Sequence, residues 1–163
     1  ETTPMKEVKI EICIRALQYE ELNETDRKLI DMAKEATGRS YAPYSHFSVG
    51  AAALLENGKI ITGTNQENAA YPSGICAERT VLFYANSEYP DQAVDTLAIA
   101  ARSQSGYLHR PIPPCGACRQ VLLETEQRYG KSMRILLYSK NEIYLVNGTK
   151  DLLPLSFGGE FLD

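Results

Sequence analysis

The sequence lacks both a long apolar run and a surplus of positive charge. None of its apolar stretches approaches the ~20 residues needed to cross a bilayer, so no membrane partner is expected. The formal net charge is −4 at pH 7, and Lys and Arg form no stripe. Because binding to phosphates depends on such basic patches, no nucleic-acid partner is expected either. A small, weakly charged ligand suits the chain better.

Histidine is scarce, and the first residues do not resemble a secretory signal. Residues 1–18 mix charged and hydrophobic residues and lack a signal's continuous apolar stretch, which makes a cytoplasmic location the expectation. The two histidines, His46 and His109, have no ligand-like spacing to the cysteines. Both are interpreted as surface or loop residues. A length of 163 residues fits a single domain.

Near the N-terminus, apolar and polar residues alternate. Val8, Ile10, Ile12 and Ile14 are separated by Lys9, Glu11 and Cys13, a period of two that predicts a strand with one buried face. Cys13 would lie on the polar face of this strand, and it is interpreted as an incidental free thiol.

Periodicity, capping residues and turn signals predict the remaining elements. The predicted helices run from Asn23 or Thr25 to near Gly38, from Cys76 to about Asn86, and from near Cys115 to about Tyr129. The predicted strands are Phe47–Ala53, a partner from Ile60 after the Asn57-Gly58 turn, Thr96–Ala101, Arg134–Tyr138 and Ile143–Val146.

The final two predicted strands are separated by a very short connection, Ser139–Glu142. A parallel pair needs a crossover of about a dozen residues or more, so these two strands are predicted to be antiparallel. Together with the alternation of helices and strands, this favours one mixed sheet with helices packed on its faces.

Three of the four cysteines stand at the starts of predicted helices: Cys76, and the Cys115-Gly-Ala-Cys118 pair. A helix N-terminus favours the thiolate form of cysteine. Three interpretations compete: buried structural cysteines, a redox CxxC pair, and a zinc site with three thiolate ligands. A redox pair would leave Cys76 unexplained. A catalytic zinc site has three protein ligands and an open fourth position, which suits this set because Cys13 belongs to an unrelated strand.

Two charged residues follow Cys76 directly. Glu78 is poorly placed to chelate beside Cys76 but is a candidate general base toward a water at the metal. Its simpler interpretation is an acid that stabilises a helix N-terminus. Three thiolates on Zn²⁺ leave a net charge of −1, which Arg79 would partly offset by donating hydrogen bonds to sulfur. Otherwise Arg79 is a solvated surface residue.

Two sequence segments resemble the signature of zinc-dependent nucleoside and nucleobase deaminases. They are Cys76-Ala77-Glu78 and, 38 residues later, Pro114-Cys115-Gly116-Ala117-Cys118-Arg119-Gln120. Three more resemble motifs of the small cytidine deaminases of pyrimidine salvage: Tyr44–Ala52, Asn65–Tyr71 and Leu153–Gly158. The resemblance extends from about Glu21 to the end of the chain.

The resemblance implies a three-layer α/β/α fold. Its mixed five-stranded sheet would have an antiparallel final hairpin and an added N-terminal strand. Residues 1–20 would be an N-terminal extension, and residues 21–163 the catalytic domain. Cysteine rather than histidine at position 76 is typical of the homotetrameric class.

The activity implied is the hydrolytic deamination of cytidine and deoxycytidine, breaking the C–N bond of a cyclic amidine and releasing ammonia. Each subunit would hold one zinc ion through Cys76, Cys115 and Cys118, with Glu78 moving the protons. The rival interpretations are a related deaminase of an aminonucleoside of the blasticidin S type and a non-catalytic zinc-stabilised protein.

The resemblance also implies roles for residues that would contact a small pyrimidine nucleoside. Asn65 and Glu67 would hydrogen-bond the ribose, and Phe47 and Phe157 would flank the base. The backbone N–H of Ala77 would donate to the pyrimidine 2-carbonyl. Phe157, Ala69 and Tyr71 are expected to reach into the site of a neighbouring subunit.

Overall fold

The computed structural model describes residues 1–162, which form a seven-stranded mixed sheet with α-helices on both faces. The strands are β1 Ile14–Leu17, β2 Ser48–Leu55, β3 Ile60–Thr64, β4 Val94–Ser103, β5 Gly106–Tyr107, β6 Arg134–Leu137 and β7 Ile143–Asn147. The helices are α1 Glu24–Ala36, α2 Ala77–Glu88 and α3 Gly116–Tyr129. The strand order is β1-β7-β6-β4-β2-β3, and β5 pairs with β4.

Two hydrophobic cores lie on opposite faces of the sheet. On one face α1 packs through Leu29, Ile30 and Ala33 against residues of β2, β4 and β6. On the other face Val81 of α2 and Leu122 of α3 contribute to the second core. Residues of β4 point alternately into the two cores. Because both faces of this strand are buried, its sequence is a continuous apolar run. The predicted three-layer α/β/α fold is confirmed.

The direction of the strands agrees with the prediction from the connection lengths. β6 runs parallel to β4, and α3 forms the crossover between them. β7 returns antiparallel to β6, as the short connection required. The five expected strands and the added N-terminal strand are all present, and β5 is a two-residue addition to them. Among residues 1–162, no helix is both long enough and apolar enough to cross a membrane.

The bounds predicted for the N-terminal strand were wrong. The alternation begins at Val8, but the structure has a strand only from Ile14 to Leu17. Ile14 lies opposite Val146, and β7 ends one residue later at Asn147. Residues 8–13 therefore extend beyond the end of β7, and their backbone has no neighbouring strand within the described chain.

The approach of α1 to the sheet depends on a glycine in β2. A Cβ atom added to Gly50 would overlap the carbonyl oxygen of Ala33 and lie 2.8 Å from the backbone nitrogen of Thr37. Both are backbone atoms at the end of α1 and just after it, so neither moves as a flexible side chain does. The absence of a side chain at position 50 sets how closely this helix packs on the sheet.

We expect Gly50→Ala to lower the free energy of unfolding by about 1–3 kcal/mol, the usual cost of overpacking a core. Urea denaturation of the purified variant measures this. Gly38→Ala is the matched control, because its added Cβ has only the end of the Arg102 side chain nearby, at 3.9 Å. Equal stability of the two variants would show that α1 does not depend on the glycine.

Candidate active site

Two helix N-termini bring three cysteines together. Cys76 is the N-cap residue of α2, and Cys115 is the N-cap residue of α3. Cys118 lies in the first turn of α3 and is buried. The three Sγ atoms all lie within 4.8 Å of one another. In the described part of the chain, this is the one cluster of His, Cys, Asp and Glu side chains that could hold a metal ion.

The spacing of the sulfurs fits zinc. A Zn–S bond of ~2.3 Å in tetrahedral geometry places two sulfur ligands about 3.8 Å apart. The Sγ atoms of Cys76 and Cys115 are 3.8 Å apart. Unpaired N–H groups and the positive dipole end of each helix also favour negative charge at this point. The residues present therefore match the size and charge that the metal requires.

Among the three cysteines, the surroundings of Cys76 favour the thiolate form. A hydrogen bond from Cys118 lowers the pKa of the Cys76 thiol, and Arg79 lowers it further. Nη2 of Arg79 lies 3.5 Å from the Cys76 sulfur. The bond to Cys76, together with burial, raises the pKa of Cys118. Arg79 thus lies within hydrogen-bonding distance of a cysteine sulfur, where its positive charge offsets that of a thiolate.

Glu78 is a buried acid beside the sulfurs. Its exposed fraction is 4%, and its Oε2 lies 3.4 Å from the Cys118 sulfur. Burial raises the pKa of the Glu78 carboxyl above its ordinary value, because a low-dielectric environment disfavours the charged form. The raised pKa favours the protonated form of the carboxyl, so that the group can deliver a proton as well as accept one.

The cysteines open into a cavity of about 800 Å³. This volume lies in the range of small-molecule sites. The wall contains eight of the residues singled out in the sequence: Phe47, Asn65, Glu67, Tyr71, Cys76, Glu78, Arg79 and Cys115. Residues far apart in the chain thus meet around one cavity.

The side chain of Asn65 holds the start of β2 in place. Its Oδ1 accepts hydrogen bonds from the backbone N–H of Val49 at 2.9 Å and from Ser40 Oγ at 2.5 Å. Its Nδ2 donates to the Phe47 carbonyl oxygen at 2.8 Å. An amide nitrogen has two donor hydrogens, so one remains for a ligand.

Glu67 is tied to the turn that precedes Phe47. Its Oε1 accepts from the backbone N–H groups of Tyr44 and Ser45 at 3.0 and 3.1 Å, and its Oε2 accepts from Ser45 Oγ at 2.5 Å. The hydrogen bond from the Ser45 hydroxyl lowers the pKa of Glu67. The carboxylate therefore faces the cavity as a charged acceptor in a fixed orientation.

Three of the expected substrate-contacting residues lie outside the cavity wall of their own chain: Ala69, Ala77 and Phe157. Ala77 is buried at the start of α2. Phe157 is 59% exposed and stacks on Phe161, with ring centroids 5.7 Å apart. It does not pack in the core of its own subunit.

Tyr71 is expected from the resemblance to reach a neighbouring subunit's site. In its own chain it lines the cavity, and it is 77% exposed. A short 3-10 helix, Tyr71–Ser73, follows the Asn65–Ala70 loop and points the ring toward Tyr44, with centroids 6.2 Å apart.

Sequence reasoning missed several residues of the site. Ile112 and Pro113 line the cavity, and Ser40 and Ser45 hold Asn65 and Glu67 in place. Pro113 lies two residues before Cys115, which is a local signal. Ser45 lies in the Tyr44–Ala52 motif, but no local pattern indicates its contact with Glu67, 22 residues away, or that of Ser40 with Asn65, 25 residues away. His46 and His109 are exposed and lie outside the cysteine cluster, as interpreted.

Comparison with curated proteins identifies several relatives. The chain is 49% identical over 96 residues to a cytidine deaminase from Halalkalibacterium halodurans, covering 59% of this chain and 68% of the relative. It is 38% identical over 135 residues to a probable cytidine deaminase from Dictyostelium discoideum, covering 83% and 85%.

Solved structures and known families agree with these relatives. A crystal structure of cytidine deaminase from Burkholderia pseudomallei has a TM-score of 0.70 and 37% identity, covering 83% of this chain and 100% of that chain. Another, from Mycobacterium tuberculosis, has a TM-score of 0.64 and 32% identity, with coverages of 83% and 99%. Residues 23–130 match the zinc-binding region of cytidine and deoxycytidylate deaminases. The chain therefore belongs to the cytidine and deoxycytidylate deaminase family.

Proposed function

We propose that this protein is a zinc-dependent cytidine deaminase that hydrolyses cytidine and deoxycytidine to uridine and deoxyuridine, releasing ammonia. The observation that carries the proposal is the position of buried Glu78 beside a cluster of three cysteines, two of which, Cys76 and Cys115, line the same cavity of about 800 Å³ as Glu78. The relatives named above bear the name cytidine deaminase, which favours a pyrimidine nucleoside over the aminonucleoside alternative. A non-catalytic zinc protein would not need Glu78.

Cys76, Cys115 and Cys118 hold one zinc ion per subunit. When bound, zinc supplies a Lewis acid that makes a water molecule in its open position more acidic. Arg79 and the two helix N-termini offset the negative charge of the thiolates. This offset matters because three thiolates donate more negative charge than the metal carries.

Glu78 moves the protons of the reaction. It accepts a proton from the attacking water and delivers it to N3 of the cytosine ring, which makes C4 more electrophilic. After oxygen has bonded to C4, Glu78 takes the remaining proton of that hydroxyl group and delivers it to the 4-amino group. The C4–N bond then breaks as the C4=O bond forms, and ammonia leaves. The raised pKa of Glu78 suits a group that must accept and deliver a proton twice.

Other residues in the cavity wall and at the start of α2 position the nucleoside. The free N–H of Asn65 Nδ2 and the carboxylate of Glu67 bind ribose hydroxyls as donor and acceptor. Phe47 packs against the base, and the backbone N–H of Ala77 donates to the 2-carbonyl. The hydrogen bonds that Ser40 and Ser45 donate keep the ribose-binding groups oriented before substrate arrives.

The proposal extends to assembly and context. The enzyme is a homotetramer in which exposed Phe157 covers the base in an adjacent subunit, and Ala69 belongs to the same contact. Residues 1–20 are an extension of a catalytic domain formed by residues 21–163, which is supported by the family match beginning at residue 23. The reaction serves pyrimidine salvage in the cytoplasm.

Elemental analysis of two matched variants tests the metal site. Cys13 and Cys115 are both exposed thiols, so each serine substitution exchanges one surface sulfur for oxygen. We expect about one zinc per chain in the wild type and in Cys13→Ser. Cys115→Ser should lose most of its zinc, because a hydroxyl is a poor substitute for a thiolate ligand. Zinc lost from Cys13→Ser but retained in Cys115→Ser would exclude the proposed ligand set.

Glu78→Gln removes the proton carrier while keeping the shape of the side chain. We expect normal zinc content and a kcat for cytidine at least about 10²–10⁴-fold lower, the usual contribution of one positioned acid–base group. The fall in absorbance as cytidine becomes uridine gives the rate. Glu88→Gln, an exposed glutamate at the other end of α2, is the control and should keep full activity. Similar rates for both variants would remove Glu78 from the mechanism.

Mixing two inactive variants tests whether Phe157 acts on a neighbouring subunit. Glu78→Gln chains and Phe157→Ala chains are dissociated together and allowed to reassociate. If Phe157 covers an adjacent site, some mixed assemblies contain an intact Glu78 beneath an intact Phe157. Activity should then exceed that of either parent. If subunit exchange is verified and activity does not recover, Phe157 does not act across the subunit contact.

A further inference from the structure

The N-terminal segment leads into β1, which pairs with β7 on one side only. Val8, Ile10, Ile12 and Ile14 are all exposed, Val8 to 75%. We call residues 9–17 the N-terminal strip. β1, its C-terminal part, lies at one edge of the sheet. Within residues 1–162, no strand pairs with its outer side.

The strip has the composition of a strand with one apolar face. Its isoleucines are β-branched, a residue class enriched in strands. Ile14 lies opposite Val146, a member of the core beneath α2 and α3. Because side chains alternate along a strand, Ile12 and Ile10 continue that face beyond the sheet. An exposed edge of this kind is a template for pairing with another chain.

The charges of the strip identify a second copy as the occupant. If two strips pair antiparallel about a two-fold axis through Cys13, Ile12 lies opposite Ile14 of the second copy. Glu11 then lies opposite Arg15 of the second copy, and the symmetry repeats both pairs. Opposite charges and β-branched residues across two strands are the pairs that stabilise a sheet.

Neighbouring registers fit less well. Pairing centred on Ile12 places Lys9 opposite Arg15, and pairing centred on Glu11 places two glutamates opposite each other. Pairing centred on Ile10 matches Lys9 with Glu11, but it places Pro4, which has no backbone N–H to donate, opposite Ala16 of β1. Like charges directly opposite are destabilising, so the register centred on Cys13 is favoured.

We propose that the N-terminal strip is a docking surface for the same strip of a second copy, so that two sheets join edge to edge in the register centred on Cys13. This contact goes beyond the proposed activity and does not depend on it, because the strip lies outside the wall of the cavity.

Charge reversal in residues of the strip tests both the contact and its register. Glu11→Arg places arginine opposite arginine at two symmetric positions, and Arg15→Glu places glutamate opposite glutamate. Each should raise the dissociation constant of the pairing at least about tenfold. Sedimentation velocity should then show assemblies of half the wild-type mass or less. The double variant Glu11→Arg/Arg15→Glu restores opposite charges and should recover the wild-type mass.

Lys9→Glu is the matched control, since it reverses a charge on the same face of the strip but leaves Glu11 and Arg15 unchanged. It should keep the wild-type mass. If the strips paired in the register centred on Ile10 instead, this substitution would place glutamate opposite Glu11 and the mass would fall. Zinc content per chain should be the same in all four variants, because the strip lies outside the cysteine cluster, and this separates the contact from the catalytic proposal. Single reversals that leave the mass unchanged, or a double variant that does not recover it, would overturn the proposal.

Discussion

Three sulfur atoms within 4.8 Å of one another form a concentration of negative charge that the rest of the site must balance. The fold supplies this balance by starting two helices at the same place on one face of the sheet. Cys76 and Cys115 occupy N-cap positions, where backbone N–H groups lack intrahelical acceptors. Arg79 adds a full positive charge next to Cys76. The packing of α2 and α3 in one core keeps these groups together.

Side-chain hydrogen bonds to the backbone hold the cavity wall opposite the sulfurs in place. Asn65 and Glu67 lie just beyond the end of β3, and their side chains bind backbone groups at the start of β2 and in the preceding turn. The neighbouring strands β2 and β3 are thereby joined at the end that faces the cavity. Most of the hydrogen-bonding capacity of the two side chains is satisfied before any ligand binds, so little conformational freedom remains to be lost on binding.

Much of this architecture could be predicted because its signals are local. Helix caps located α2 and α3, the Asn57-Gly58 turn located the β2–β3 hairpin, and a short connection fixed the direction of β7. What could not be predicted depends on partners distant in sequence. The N-terminal strand begins only at Ile14, where it meets the end of β7. The alternation within residues 8–14 cannot show this limit. Ser45 reaches its partner 22 residues away, and no periodicity encodes that contact.

The first turns of α3 have a further consequence. Arg119, next to Cys118, donates to the carbonyl oxygens of Pro114 at 2.9 Å and Leu152 at 2.7 Å. Gln120, the next residue, donates to the carbonyl of Phe157 at 2.7 Å. One stretch of helix thus presents sulfur on its inner side and anchors the C-terminal segment on its outer side. A displacement of the C-terminal segment would therefore break hydrogen bonds to the same helical turn that positions the Cys118 sulfur.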